Sequence, residues 1–266
     1  MSPTEVVPAA RRRWRIVYAI IVLAAVLTAM WYYFENPANQ TFGRTVTQVA
    51  VHQKVVALTY DDGPNPPYTT EIVDYLHSVH VPATFFVVGR AVRKYPEVVR
   101  LEAKDGDAIG NHTWDHAHLV LESRRHIERE LNDAEAAIVS AAGVRTHIFR
   151  PPFGARDFAV IRVAHKLGYQ VIMWSVPLPR DWAGPPPPII AKRVLPYVKD
   201  GSIIALHDGN RGKGGNRAST VAATKLIVTA LKAKGYRFVT VPELVRLGYE
   251  ARKMPPAGPT EYEGGD

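Results

Sequence analysis

Apolar and polar positions along the chain follow two rhythms. Continuous apolar runs read as buried strands: VVALTY (55–60), ATFFVV (83–88), DAIGN (107–111), HIFR (147–150), YQVIMWSV (169–176), SIIALH (202–207) and YRFVTV (236–241). Between them, TEIVDYLHSV, RRHIERELNDAEAAIVSAAG, FAVIRVAHKLG, IIAKRVLPYV and TVAATKLIVTALKAKG repeat apolar residues at three- and four-residue spacing, the period of amphipathic helices. Gly106, Gly143, Gly168 and Gly235 stand where left-handed C-caps belong, just ahead of the next strand. Seven strand-helix repeats predict a parallel α/β sheet covered by helices. Their even spacing favours a distorted (β/α)7 barrel over a doubly wound open sheet.

A different pattern precedes these repeats. RRRWR (11–15) leads into IVYAIIVLAAVLTAMWYYF (16–34), a stretch without a charge that is long enough to cross a bilayer as a helix. Basic residues on its N-terminal flank alone place residues 1–15 in the cytoplasm and everything after Glu35 outside, with Trp31, Tyr32, Tyr33 and Phe34 as the outer aromatic belt. The competing reading is a cleaved signal peptide, but the run exceeds the usual apolar core and no small-x-small cleavage pattern follows. The expectation is an uncleaved single-pass anchor in the cell membrane. Residues 35–53 then form a polar linker, 54–248 the main domain and 249–266 a Pro-, Gly- and charge-rich disordered tail. The proline-dense AGPPPP (183–188) is expected to be an irregular, stiff rim.

Composition narrows the chemistry. The 266 residues include no Cys, which excludes disulfides and thiolate metal sites, so any metal must sit on His, Asp or Glu. The net charge is +8, of which residues 1–15 hold +3, leaving a mildly basic exported domain suited to an anionic envelope polymer. No motif or arginine-aromatic stripe supports nucleic-acid binding.

In both folds considered, active sites gather at the C-terminal ends of strands. Five of the seven predicted ends carry ionisable groups: Asp61 and Asp62; His112 and His116 in NHTWDHAH; Arg150 in RPPFG; Asp181 beside Trp182; and His207 with Asp208 in LHDG. Two His four residues apart can meet one cation, and a carboxylate completes a facial set. Neighbours in a strand point to opposite faces, so Asp61 and Asp62 share a pocket only if the backbone turns, which Gly63 and Pro64 allow. One acid is then free to ligate a metal while the other takes a proton from water. The glycine-rich GNRGKGGN (209–216) lacks the Ser or Thr that a phosphate loop needs after its Lys, and reads as a mobile loop beside His207.

TYDDGP, HTWDH, RPPFG, DW and LHD, in this order and spacing, resemble the five motifs of the polysaccharide deacetylases, carbohydrate esterase family 4 or the NodB homology domain. The similarity runs from about Lys54 to Leu247. It implies a distorted (β/α)7 barrel and a metal-dependent hydrolase that removes N-acetyl groups from amino-sugar polymers. By this resemblance Asp62, His112 and His116 hold one divalent ion, zinc, with cobalt as the alternative. Asp61 is the general base, Arg150 its partner and His207 the general acid, oriented by Asp181. The Phe153 backbone N–H stabilises the oxyanion, while Trp182 and Leu206 wall the acetyl pocket. Two departures stand out: Tyr60 replaces a common Phe, and WSVPLPRDW carries Pro177 in place of an acid with one residue inserted before Asp181. With the anchor, the expected substrate is peptidoglycan N-acetylglucosamine at the outer membrane face. Chitin oligosaccharides, acetylated xylan and a noncatalytic glycan-binding role are the alternatives.

Overall fold

The computed structural model describes residues 9–104 and 106–253. Seven parallel strands form one sheet: β1 (Val55–Asp61), β2 (Thr84–Val87), β3 (Ala108–Asn111), β4 (Ile148–Phe149), β5 (Gln170–Val171), β6 (Ile203–His207) and β7 (Arg237–Phe238). Their order is β5-β4-β3-β2-β1-β6, with β7 beside the start of β1. All seven residues of β1 are buried, as befits a central strand covered on both faces. Val56, Leu58 and Tyr60 pack outward, in one core cluster with Ile72, Leu76 and Ile227 of the helices. Val55 and Ala57 point inward with Ile203, Ala205 and Phe86. By the same two-residue period, Thr59 and Asp61 lie on the inner face.

The sheet curls into a half-barrel. No ladder joins β5 to β6; the gap is spanned by Ser175, whose N–H donates to Ile203 O at 3.1 Å while its Oγ accepts from Ile203 N at 3.1 Å. The stretch 169–176 is regular only at Gln170–Val171. Beyond it, the carbonyls of Ile172 and Met173 accept from the buried Arg150 guanidinium instead of from a neighbouring strand. A buried cation therefore takes acceptors that a closing ladder would use, and the curled half-barrel is consistent with the distorted (β/α)7 barrel expected.

Helices α1 (Ala9–Glu35), α2 (Tyr68–Ser78), α3 (Gly89–Lys94), α4 (Pro96–Lys104), α5 (Arg124–Ala142), α6 (Phe158–Lys166), α7 (Pro187–Val194), α8 (Ala218–Ala233) and α9 (Val241–Lys253) complete the described chain. Local chemistry sets several ends. Ser123 Oγ accepts from His126 N to start α5, which stops at left-handed Gly143; Asp157 caps α6 through Val160 N. The short α3 and α4 fall where the apolar rhythm is too brief to display a period.

Three expectations are revised in detail. The prolines at 186–188 open α7, because a fixed φ and a missing N–H suit the first turn of a helix. Residues 249–253, expected in the disordered tail, belong to α9; residues 254–266 lie outside those described. The segment expected as a linker runs back across the domain, with Val46 bridged to Ile172 and with Phe42 and Val49 buried.

Candidate active site

A cleft of about 700 Å³ opens at the C-terminal end of the sheet, lined by Asp61, Asp62, His112, His116, Trp182 and His207 among others. β1 delivers the two acids to it. The turn falls on Asp62 itself, whose φ is +79°, so Asp61 keeps its inward strand direction while Asp62 swings into the same cleft. Gly63 is needed for a different reason: a Cβ there would sit 2.0 Å from Asp208 Oδ2.

After β3 the chain turns tightly, with Thr113 and His116 in the left-handed region. Asn111 Oδ1 accepts from Thr113 N and Thr113 Oγ1 accepts from His116 N. Glu130 of α5 accepts from Trp114 N and Asp115 N, pinning the loop from outside. The result brings both imidazoles to Asp62, with Oδ1 2.9 Å from His116 Nε2 and 3.5 Å from His112 Nε2.

These three side chains are buried and their ligand atoms lie within 4.8 Å of one another. Asp62 Oδ1 makes no aligned hydrogen bond despite its close neighbours. His112 Nδ1 donates to Arg150 O at 2.7 Å, which turns Nε2 and its lone pair toward Asp62. Burial pushes the Asp62 carboxyl up, yet the imidazoles of His112 and His116 hold it well below the usual carboxylate range. Burial lowers His116 more than Asp62 raises it. An ionised carboxylate and two imidazoles converging on one point fit a divalent cation.

Arg150 lies fully buried beneath the cleft. Its Nη1 donates to Asp61 Oδ1 at 2.6 Å and to Thr59 Oγ1 at 2.8 Å, and the guanidinium stacks over Phe86 at 4.1 Å. Burial lowers its pKa, and Asp61 opposes that loss.

Across the cleft, Asp181 Oδ1 lies 3.0 Å from His207 Nδ1, while Oδ2 accepts from His207 N at 2.7 Å and Thr220 Oγ1 at 3.0 Å. The altered segment before Asp181 is accommodated by Arg180 in the left-handed region, opening a short 3-10 turn over Asp181–Ala183. Burial would depress the His207 imidazolium, but the Asp181 charge and hydrogen bond outweigh it and push the pKa up to about 9. With Nδ1 held by Asp181, Nε2 is the nitrogen left for the cleft.

Phe153 occupies a left-handed position in the Pro152–Gly154 turn, its ring edge-on to His116 at 4.7 Å. Trp182 stands edge-on to His207 at 4.9 Å. Leu206 is fully buried in the outward-facing core with Tyr60 and Val176, beneath the cleft and not on its wall. Several contributors carried no usable sequence signal. Asp208 accepts from Thr69 Oγ1 behind the Asp62–Gly63 turn, and Arg217 ties Gly209 O to Trp182 O. Arg211 lies over Phe153 at 5.0 Å, and Glu35 lines the cleft from the end of α1. Sequence reading picks out Asp208 in LHDG and Arg211 within the GNRGKGGN loop, but spacing assigns neither a partner.

Acids, imidazoles and a cation-type ligand set converging at the strand ends of a parallel α/β sheet define a hydrolase. Residues 48–172 match the family model described as polysaccharide deacetylase. A peptidoglycan-N-acetylglucosamine deacetylase of Bacillus cereus is 39% identical over 205 residues, covering 77% of this chain and 94% of that protein. A chitooligosaccharide deacetylase of Azorhizobium caulinodans is 34% identical over 204 residues, 73% of this chain and 96% of that protein. The crystal structure of a peptidoglycan N-acetylglucosamine deacetylase superposes with a TM-score of 0.70 at 31% identity, covering 76% of this chain and 92% of the other. The chain belongs to the polysaccharide deacetylase family, carbohydrate esterase family 4, and is an enzyme of that metal-dependent family.

Proposed function

We propose that this enzyme hydrolyses the N-acetyl group of N-acetylglucosamine units in peptidoglycan, on the outer face of the membrane, with zinc as the ion and cobalt as a working substitute. The observation that carries the reading is the pairing of a buried Asp62, His112 and His116 cluster with two proton-handling centres, Asp61 with Arg150 and His207 with Asp181. An amide is a poor electrophile with a poor leaving group, so its hydrolysis needs an electrophilic site, a base for water and an acid for nitrogen.

Asp62, His112 and His116 would hold a divalent ion, which when bound would supply Lewis acidity toward the acetyl carbonyl and lower the pKa of water. Asp61 accepts the proton of the attacking water, and Arg150 holds the carboxylate aimed into the cleft. The Phe153 N–H donates to the oxygen as negative charge develops on it. His207 then delivers a proton from Nε2 to the departing nitrogen, with Asp181 keeping the ring oriented and charged. Water adds across the C–N bond, leaving acetate and a free amine on the sugar.

Membrane attachment through α1 completes the proposal. Arg13–Glu35 is one helix long and apolar enough to cross a bilayer, with none of its apolar window buried in the structure. The test is acetate release from peptidoglycan, chitin oligosaccharides and acetylated xylan, with zinc or cobalt bound. No acetate from any of them by the loaded enzyme rejects the proposal, and a preference for chitin oligosaccharides reassigns the substrate to the class named for the Azorhizobium relative.

A further inference from the structure

Arg156 is completely buried, yet among the described residues its hydrogen-bond partners are backbone carbonyls and not carboxylates. Nη2 donates to the carbonyls of Asn36 at 2.8 Å, Pro37 at 3.1 Å and Asn39 at 2.6 Å. Nη1 donates to Gly154 O at 2.8 Å, one residue beyond Phe153. Three of these four carbonyls belong to the turn that follows α1, at the negative end of the helix dipole, where a positive charge is favourable. One cation thus ties the end of the apolar helix to the turn that carries part of the active site.

Packing reinforces the tie. Phe34 stacks on Phe42 at 5.2 Å, and Phe42 meets Phe158, the first residue of α6, edge-on at 5.3 Å. Asn39 Nδ2 donates to Tyr33 O, and Thr47 Oγ1 donates to Pro37 O. A Cβ on Gly154 would lie 3.3 Å from Glu35 O, and Glu35 itself lines the cleft. In contrast, the described side chains of residues 13–30 are all exposed. The apolar stretch therefore projects away from the domain and touches it only at its last turn.

We propose that the Arg156 cradle docks the outer end of α1 onto the cleft rim, so that the enzyme acts on amino-sugar glycan carried on a lipid in the same bilayer. The substrate part rests on the deacetylase reading above. With the exposed apolar stretch in the bilayer, Tyr32 and Tyr33 lie at the headgroups, and Glu35 follows about 3 Å further along the axis at the helical rise of ~1.5 Å per residue. The cleft rim then meets the headgroup layer. A flexible tether of about 18 residues would instead let the domain range over roughly 25 Å. A docked cleft reaches glycan on a membrane carrier and is poorly placed for polymer far from the surface.

The full chain has no cysteine, so single-cysteine variants can carry a fluorophore. Asn216→Cys marks the cleft rim and Lys234→Cys the opposite end, where Lys54 ahead of β1 bonds Lys234 O. In nanodiscs with headgroup-quencher lipids, the rim label is expected to be quenched several-fold more than the distal one; equal quenching overturns the docking. A Gly/Ser insertion of about 20 residues between Glu35 and Asn36 frees α1 while leaving the carbonyl cradle intact. The insertion is expected to abolish the quenching difference and to lower several-fold the ratio of acetate release from a lipid-linked N-acetylglucosamine oligosaccharide to that from the same oligosaccharide free in solution. An unchanged ratio overturns the substrate inference. Absence of acetate from both forms, with asymmetric quenching retained, overturns the deacetylase reading and supports the docking.

Discussion

Arg150 and Asp61 meet on the inner face of the half-barrel, with Nη1 2.6 Å from Oδ1 and the guanidinium wholly shut off from solvent. The same guanidinium binds Thr59 Oγ1 and the carbonyls of Ile172 and Met173, so it closes the sheet and aims the proposed base at once. Catalysis and architecture share one cation.

Arg150→Met leaves Asp61 buried and unpaired, and removing one member of a buried pair costs about 3–5 kcal/mol. The variant is expected to lose much of its stability by denaturant unfolding. Asp61→Asn keeps the shape and an oxygen that accepts from Arg150; its deacetylation rate is expected to fall about 10²–10⁴-fold, the usual worth of a general base, with a drop in melting temperature as well, because the buried guanidinium loses its counter-charge. A rate for Asp61→Asn near wild type would remove Asp61 from the base role.

Asp181→Asn removes the charge that raises His207 while keeping a group able to bond its ring and its N–H. His207 must be protonated to act as acid, and its pKa stands at about 9. The rate should therefore hold on the alkaline side until about that pH in the wild type and decline earlier in the variant. A pH profile of kcat/KM checks this, and coincident alkaline limbs would count against the pairing.

Adding zinc or cobalt to metal-stripped protein should raise the melting temperature, because a ligand at a hundred times its Kd stabilises by about 2.7 kcal/mol. Asp62→Asn and His116→Ala should abolish most of that rise. Retention of the full shift in both would move the ion elsewhere.

Burial pushes the Asp208 carboxyl up to about 7, offset in part by Thr69 and reinforced by the charges of Asp62 and Asp61. A folded pKa above the unfolded one means that the Asp208 contribution is present in full at acidic pH and is lost as the pH rises through about 7. Asp208→Asn does not titrate there. The melting temperature of the wild type relative to this variant should fall between pH 5 and pH 8, and a constant difference contradicts the assignment.

Glu102 of α4 is fully buried, neither carboxyl oxygen has a hydrogen-bond partner among the described residues, and burial with the charges of Asp208 and Asp107 holds its pKa well above normal. Glu102→Met fills a similar volume without the unsatisfied group, and should stabilise the fold by about 1–3 kcal/mol in chemical denaturation. Destabilisation would mean that the carboxyl has a structural task.

Strand and helix positions were legible because burial on both faces of a parallel sheet writes continuous apolar runs, and the C-terminal ends of those runs located every proposed ligand. Asp62, His112 and His116 were legible as a set only because they fell at the C-terminal ends of two strands, β1 and β3, where this fold class gathers its sites. Half-barrel curling was not legible in YQVIMWSV, whose apolar run continues past Val171 while its carbonyls turn to Arg150. The helix α9 likewise hid inside a polar stretch, because helices with a narrow buried stripe carry charge on most of their surface.

By itself the sequence determined the α/β class, the apolar N-terminal helix and the residue types at the strand ends, since these depend on local periodicity and spacing. Only the tertiary structure decided that Asp62 turns through its own φ, that Asp181 reaches His207 across an altered loop, and that Asp208 backs the acid pair. It also decided where the end of α1 sits, through an arginine more than a hundred residues away. Contacts between distant segments depend on how strands are ordered in space, and no local pattern encodes that order.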